Sequence, residues 1–428
     1  MLVVGPVRAQ DTIDLTKPLS LEDIYDLAEG RNLNYLRSLE SIETSKGSYK
    51  SARSALLPSA RAGVGLSRTV SKFSQPVFDQ TSQSFISDET SYSSSLSLSG
   101  GVNVIDMPSI FRFRQASASL DGTELGAART RQTLHNQLAG VYYELIRAQE
   151  RAQVTQEAYD LSSEQLRRAQ SLYDLGSVAR SDVLQAQVNL ASADRDRISA
   201  TNTIALQRSR LAMALGVPVD SPIRVQDPEA LPGTLPTEAD ALVEDARHSR
   251  PDVRQAQADL SAARLGVKSA KWSRYPSLDA SYSYSRRGTH LNDVTTEFDS
   301  GYSFSTSIGL SWTLFDGLNT KGSIERAEAA RRSQKLMLEE TELQVALDVQ
   351  ESLIAIKNAS ESIRSAEEGV RLAEESVKLQ QALYESGGGT LLEWNNSQVE
   401  LTRARVSLVD AQVDLHLALA GLDLALGR

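Results

Sequence analysis

The chain is written twice. Arg31-Asn32 through Leu57-Pro58 aligns without a gap with Ser249-Arg250 through Tyr275-Pro276, about 218 residues later. Leu172-Tyr173-Asp174-Leu175-Gly176 returns as Leu383-Tyr384-Glu385-Ser386-Gly387, and this second match holds at a spacing of about 211 until Leu215-Gly216 meets Leu426-Gly427. An internal repeat fixes the architecture before any local reading does. This unit is far too long for a solenoid. The chain reads as two copies of one module: helix, two strands, then a long helical hairpin.

A helical pattern starting at Leu19-Ser20-Leu21-Glu22-Asp23 predicts a helix over 19–57, stopped by Pro58. The period then changes to two. Ala62, Val64 and Leu66 alternate with Gly63, Gly65 and Ser67, and Tyr92, Leu96, Leu98, Val102 and Val104 alternate with Ser, Gly and Asn. In the second copy Leu278, Ala280, Tyr282 and Tyr284, then Tyr302, Phe304, Thr306, Ile308, Leu310, Trp312 and Leu314, do the same. Strict alternation predicts strands with one apolar and one wet face.

The expected organisation is therefore a signal remnant or N-terminal extension over 1–18, a first repeat over 19–216 and a second over 243–428. The first repeat holds strands over about 59–72 and 91–105 and a hairpin over about 110–215. The second holds a helix over 243–274, strands over about 277–287 and 301–315, and a hairpin over about 319–427. Polar loops are expected over about 74–90 and 286–300. Between the repeats, 217–242 reads as an extended linker with Pro218, Pro222, Pro228, Pro232 and Pro236.

The segment from Asn319 to Ser386 predicts a helix of about 65 residues, about 100 Å at 1.5 Å per residue. Its seam includes Ile356, Ala359, Ile363, Ala366, Val370 and Ala373; the returning helix answers with Trp394, Ser397, Leu401, Ala404, Leu408 and Ala411. Large and small residues thus alternate at steps of three and four. Sustained heptads mean coiled-coil packing, and small residues let the axes approach closely. A second stripe, Val399, Val406 and Val413, gives the last helix neighbours on two sides, as in the wall of a tube.

Composition excludes several functions. The formal net charge of −10 is mixed along the helices, with no concentrated basic face for nucleic acid. There is no cysteine, hence no disulfide, thiolate metal site, Cys nucleophile or lipidated N-terminal cysteine. His135, His248, His290 and His416 show no ligand-like spacing, and no nucleophile elbow or phosphate loop occurs, so no enzyme, cofactor or metal is expected. Val7-Arg8-Ala9 before Gln10 reads as the tail of an export signal. No run of about 18 apolar residues predicts a transmembrane helix.

Strands of about 10 residues have the length that crosses a bilayer at a tilt. Tyr92, Tyr282, Tyr284, Tyr302, Phe304, Trp312 and Phe315 cluster in them, as an interface girdle requires. Four strands cannot close alone, since the smallest membrane barrels need about eight. An open edge in lipid leaves unpaired amides that cost several kcal/mol each. The barrel must be shared among several copies of the chain.

This layout resembles the TolC family of outer-membrane efflux and secretion proteins from about Leu19 to Gly427. The likeness is carried by Ala55-Leu56-Leu57-Pro58 and Ser273-Arg274-Tyr275-Pro276 before the first strand of each copy. Trp312-Thr313-Leu314-Phe315-Asp316-Gly317 after the last strand adds to it, as do the two turn motifs at Leu172 and Leu383. The resemblance implies a mixed α and β membrane protein, a homotrimer with a 12-stranded outer-membrane barrel (four strands per chain) continued by a long periplasmic α-helical barrel. It also implies a passive exit channel. Its tip, at turns Leu175, Gly176, Ser177, Val178 and Gly387, Gly388, Gly389, would dock a periplasmic adaptor (a membrane fusion protein) of an efflux pump or type I secretion system. The inner-membrane RND or ABC transporter would choose the cargo, and outer-membrane lipid would surround the barrel.

By motif, Asp182 falls on a gate aspartate and Tyr384 on its tyrosine partner, while the familial arginine after the second turn is Gly389. Glu393 falls on an acidic ring that constricts the pore, and the second ring position is Asn396, which implies three charges rather than six. Asp182 equally suits a helix N-cap or first-turn acid, and Tyr384 equally suits the packing seam. The glycine-rich second turn is expected to be the looser. The alternative from another class is a periplasmic coiled-coil scaffold or adaptor-like protein; it accounts for the heptads but not for the four Ser-alternating strands.

Overall fold

The computed structural model describes residues 17–79, 84–227, 239–289 and 301–428. The expected signal remnant up to residue 16, the linker prolines Pro228, Pro232 and Pro236, and His290 lie outside the described residues. The elements are β1 (Pro18–Leu19), α1 (Leu21–Glu29), α2 (Leu33–Ser54), β2 (Ser59–Asp79), β3 (Ser84–Ile105), α3 (Met107–Asp174) and α4 (Arg180–Leu215). The second copy follows with β4 (Arg224–Val225), α5 (Ala239–Ser249), α6 (Pro251–Trp272), β5 (Ser277–Gly288), β6 (Tyr302–Ser311), α7 (Asn319–Glu385) and α8 (Leu391–Leu426). No helix among the described residues is long and apolar enough to cross a membrane.

Several boundaries differ from the sequence expectation, each for a local reason. The helix expected over 19–57 is two. Gly30 caps α1, and Asn32 Oδ1 accepts the N–H groups of Asn34 and Tyr35 at 3.0 and 3.1 Å to start α2. The helix expected over 243–274 also breaks, at Arg250, because Pro251 opens α6 at the position where its missing N–H has no partner to lose. The loop expected over 74–90 is largely strand, as β2 and β3 continue to Asp79 and from Ser84. Its polar composition hid a ribbon carried by backbone pairing. β6 ends at Ser311 rather than 315: Trp312 Nε1 donates to the Arg274 carbonyl at 3.0 Å, and Gly317 and Leu318 both take positive φ to turn the chain. Part of the linker is also ordered, with β4 lying parallel to β1 through Pro18↔Arg224 and Leu19↔Val225.

The chain forms two compact units. The first comprises the chain up to Ser41, Glu124–Gln255 and Glu339–Arg428. One of its cores gathers Ile24, Leu27 and Ala28 of α1 with Leu138, Tyr142 and Leu145 of α3 and Leu211 and Leu215 of α4. The unit also holds the C-terminal end of α8. Arg129 donates to the Leu424 carbonyl at 3.0 Å, Arg250 to Ala425 at 3.3 Å, Ser249 to Leu426 at 2.6 Å and Gln132 to Gly427 at 2.6 Å. The carbonyls a helix cannot satisfy for itself are thus met by side chains from three other elements or their ends. Arg250 is 2% exposed and also pairs with Asp252 at 2.6 Å and Asp348 at 2.7 Å. In the first copy Asn32, the counterpart of Arg250, donates to Ala214, the counterpart of Ala425, at 2.9 Å.

The second unit, Ile42–Thr123 with Ala256–Leu338, contains the antiparallel sheet β2-β3-β5-β6. Its register aligns Ala62, Leu98, Tyr284 and Phe304 in one row, and Gly63, Ser97, Ser285 and Ser303 in the next. Alternate rows therefore present opposite chemistry to the two faces. Gly100 interrupts the apolar face because the Tyr282 ring lies over it; a Cβ there would fall 2.5 Å from Tyr282 Cε1.

Candidate functional site

Two regions carry the residues singled out from sequence, the hairpin turns in the first unit and the sheet in the second. At the turns the duplicated text gives duplicated wiring. Gly176 and Gly387 both take left-handed φ, +73° and +77°. Ser177 N–H donates to the Leu172 carbonyl at 2.8 Å, and Gly388 N–H to the Leu383 carbonyl at 2.9 Å. This is the six-to-one closure of a helix ending on a left-handed residue.

The copies differ just beyond. Ala179 opens α4 with no side-chain cap, and Asp182 follows as a first-turn acid rather than the N-cap. Thr390 opens α8 with a full capping box: Thr390 N and Oγ1 donate to Glu393 Oε2 at 3.0 and 2.9 Å, and Glu393 N donates to Thr390 Oγ1 at 3.2 Å. The backbone N–H and then the hydroxyl of Thr390 hold the exposed Glu393 carboxyl below its usual range. Gly389 adds a further bond to Leu383 at 3.0 Å, so the glycine-rich turn is the more tied of the two. A Cβ on Gly389 would sit 3.0 Å from Leu383 Cβ. A side chain at this position would require Leu383 to shift by a few tenths of an ångström.

Asp182 and Tyr384 line one groove of about 640 Å³ between the two turns, together with Ser177, Val178, Gly387 and Gly389. No hydrogen bond joins them within the chain, and the Tyr384 hydroxyl is enclosed without a partner. Its ring packs on Trp394, centroids 5.4 Å apart. Burial, and then the Asp182 charge, raise the Tyr384 hydroxyl above its ordinary pKa. Leu175 projects from its turn, 78% exposed. Asn396 lies on an exposed face of α8, and Gly388 folds back toward Leu383.

Sequence reasoning missed the polar ladder between the hairpins. Arg147 pairs with Asp414, Arg151 with Asp410, Arg405 with Glu157 and Arg168 with Glu385, at 2.5–2.7 Å, and Arg405 also pairs with Glu374 of its own hairpin at 3.0 Å. Nothing in the sequence marks these partners except arginines on the polar faces of heptads.

In the sheet, Tyr92, Phe304 and Tyr302 are exposed, as are Val64, Leu66, Ile308 and Leu310 of the same face. Tyr282 borders on exposure, while Tyr284 is half-buried against Tyr302 at 5.8 Å. Trp312 and Phe315 lie past the end of β6, and Phe315 is 82% exposed. The opposite face is a field of hydroxyls, with Ser281 and Ser307 bonded at 2.8 Å. Among the described residues, β2 and β6 are edges with no neighbouring strand beyond them.

The family model for outer membrane efflux protein matches residues 24–217 and 242–428. The chain is 26% identical over 344 residues to the outer membrane protein TolC of Vibrio cholerae, covering 77% of this chain and 73% of that one. It is 27% identical over 250 residues to protein CyaE of Bordetella pertussis, 58% of this chain and 52% of that protein, so the match spans about half of CyaE. The outer membrane protein VceC of Vibrio cholerae superposes with a TM-score of 0.79 at 20% identity, covering 95% of this chain and 96% of that one. A membrane protein from Pseudomonas aeruginosa gives 0.82 at 19% identity over 95% and 93%. At these identities the solved structures establish the fold.

Proposed function

Because this chain belongs to the outer membrane efflux protein family, we propose that three copies share one 12-stranded barrel, three times the four strands of the sheet. The hairpins of the trimer continue that barrel toward the periplasm as an α-helical tube. The assembly is a passive exit conduit, closed at the hairpin turns. It opens when a periplasmic adaptor and an inner-membrane RND or ABC transporter dock, in an efflux pump or type I secretion system. Asp182 and Tyr384 belong to the gate, and Glu393 supplies one ring of three carboxylates that favours cations.

The observation that supports this reading is the open sheet. Its apolar face is exposed at Val64 (62%), Phe304 (61%) and Ile308 (77%), and both edges carry unpaired backbone. In lipid the exposed face is solvated, but the edges are not; pairing β6 of one copy with β2 of the next satisfies both. The small Ser and Gly side chains of the other face leave a wet lumen.

The absence of cysteine makes the test clean. A cysteine replacing Ser305 in β6, combined with single cysteines scanned through β2 from Ser59 to Ser71, is oxidised in outer membranes. Pairs in register yield a covalent trimer on denaturing gels. If only monomer appears at every position, the shared barrel is wrong.

A further inference from the structure

Toward the C-terminal end of α8 a cavity of about 410 Å³ opens between α3 and α8, with α1 as its third wall. The two long helices run antiparallel here. Arg151 meets Asp410, Arg147 meets Asp414, and Tyr143 stacks on His416 at 4.7 Å. Seven residues is about two helical turns, so the same register sets Asp423 of α8 opposite Asn136 of α3. Both side chains line the cavity, and among the described residues neither has a hydrogen-bond partner. The walls beside them are aromatic and held in place. Tyr25 of α1 stacks on His135 at 4.2 Å, and Glu29 fixes that imidazole at 2.8 Å. Leu21 and Leu419 add apolar surface.

We propose that this cavity binds a small organic cation, a protonated amine or amidine on an apolar body. Asp423 is the carboxylate such a cation requires. It lies on the open side of the cavity, where an occupant can reach it. Burial raises its carboxyl, and the opposing charge is Arg428, which is 63% exposed and directed at Asp245, 3.3 Å away. Burial, then Tyr143 and Asp423, push the Tyr25 hydroxyl up to about 12, so these three groups lie close together. Burial also lowers His416, which leaves its imidazole neutral at physiological pH. The cation's N–H groups donate to the Asp423 carboxylate and the Asn136 side-chain oxygen, and a charge-assisted bond is about twice as strong as a neutral one. Tyrosine rings also favour positive charge beside them. An anion would meet Asp423 with like charge, and a neutral isostere would leave the carboxylate unpaired. The volume lies within the range of about 300–1,000 Å³ usual for small-molecule sites. The site does not depend on the channel reading, because every wall belongs to one chain.

The test uses the full chain in a non-ionic detergent and titration calorimetry with benzamidine, a planar cation at neutral pH. Benzamide, neutral and of nearly the same shape, and benzoate, an anion, are the controls. Benzamidine is expected to bind saturably at one site per chain, benzamide at least tenfold more weakly, and benzoate not at all. Asp423→Asn, an isosteric change at an exposed position, should weaken benzamidine binding at least tenfold and leave that of benzamide as it was. Asn136→Ala, on the facing helix, should weaken benzamidine severalfold. This second variant keeps the test available should the first fail to fold. Absence of saturable benzamidine binding, equal affinity for benzamide, or unchanged affinity in Asp423→Asn would overturn the proposal.

Discussion

At the scale of the residue, identical backbone geometry hides different demands. Gly176 and Gly216 both take φ of +73°, a conformation that opposes a Cβ by roughly 1–2 kcal/mol. Around Gly176 nothing lies within 4 Å, whereas a Cβ on Gly216 would sit 2.5 Å from the Arg31 carbonyl oxygen. Gly216→Ala should therefore lower the melting temperature by several degrees more than Gly176→Ala, as scanning calorimetry would show. Equal shifts would mean that the Arg31 backbone yields freely. Arg250 makes a second demand. Burial works to raise the Asp252 carboxyl, but the Arg250 hydrogen bond and the charges of Arg129 and Arg250 outweigh it and hold it below the usual range. A depressed carboxyl contributes stability that is present above its unfolded value, about 3.9, and lost as pH falls through the folded one. Burial raises the Asp423 carboxyl, which acts in the opposite sense. Melting should fall most steeply below about pH 4, and the fall should be shallower in Asp252→Asn. The repeat makes Asn32 and Arg250 counterparts on sequence alone. Their task was not legible, because the carbonyls they serve lie 182 and 175 residues away.

At the scale of the element, the strands were the most legible part and the helix breaks the least. Strict alternation through Leu278–Tyr284 and Tyr302–Leu310 gave both faces of β5 and β6, since period two leaves no other assignment. Gly30 and Pro251 are ordinary break signals, but each sits inside an amphipathic run long enough to read as continuous. The candidate site was legible as a pair of turns. The tightness of the second was not, because the closeness of Gly389 to Leu383 is a distance no spacing encodes. That tightness sharpens the gate test. Replacing Asp182 with Asn and Tyr384 with Phe removes charge and hydroxyl while leaving the Thr390–Glu393 box intact. Single-channel conductance in planar bilayers should rise, and unchanged conductance would remove both residues from the gate.

At the scale of the whole molecule, duplication and the proposed trimer together imply six near-equivalent hairpins around one tube. The sheet does not keep that equivalence. β2 and β3 are 21 and 22 residues long, against 12 and 10 for β5 and β6. Register pairing of β3 with β5 stops at Ser94↔Gly288, so among the described residues the ribbon from Ser67 and Ser93 onward continues with two strands. About ten further residues per strand, at 3.3 Å each, carry it roughly 30 Å past the described end of its shorter sibling. In the proposed trimer the outer rim is then crenellated, with three tall merlons alternating with three low ones. Image averaging that imposes sixfold order would sharpen the tube and erase the battlement, which only threefold averaging can recover.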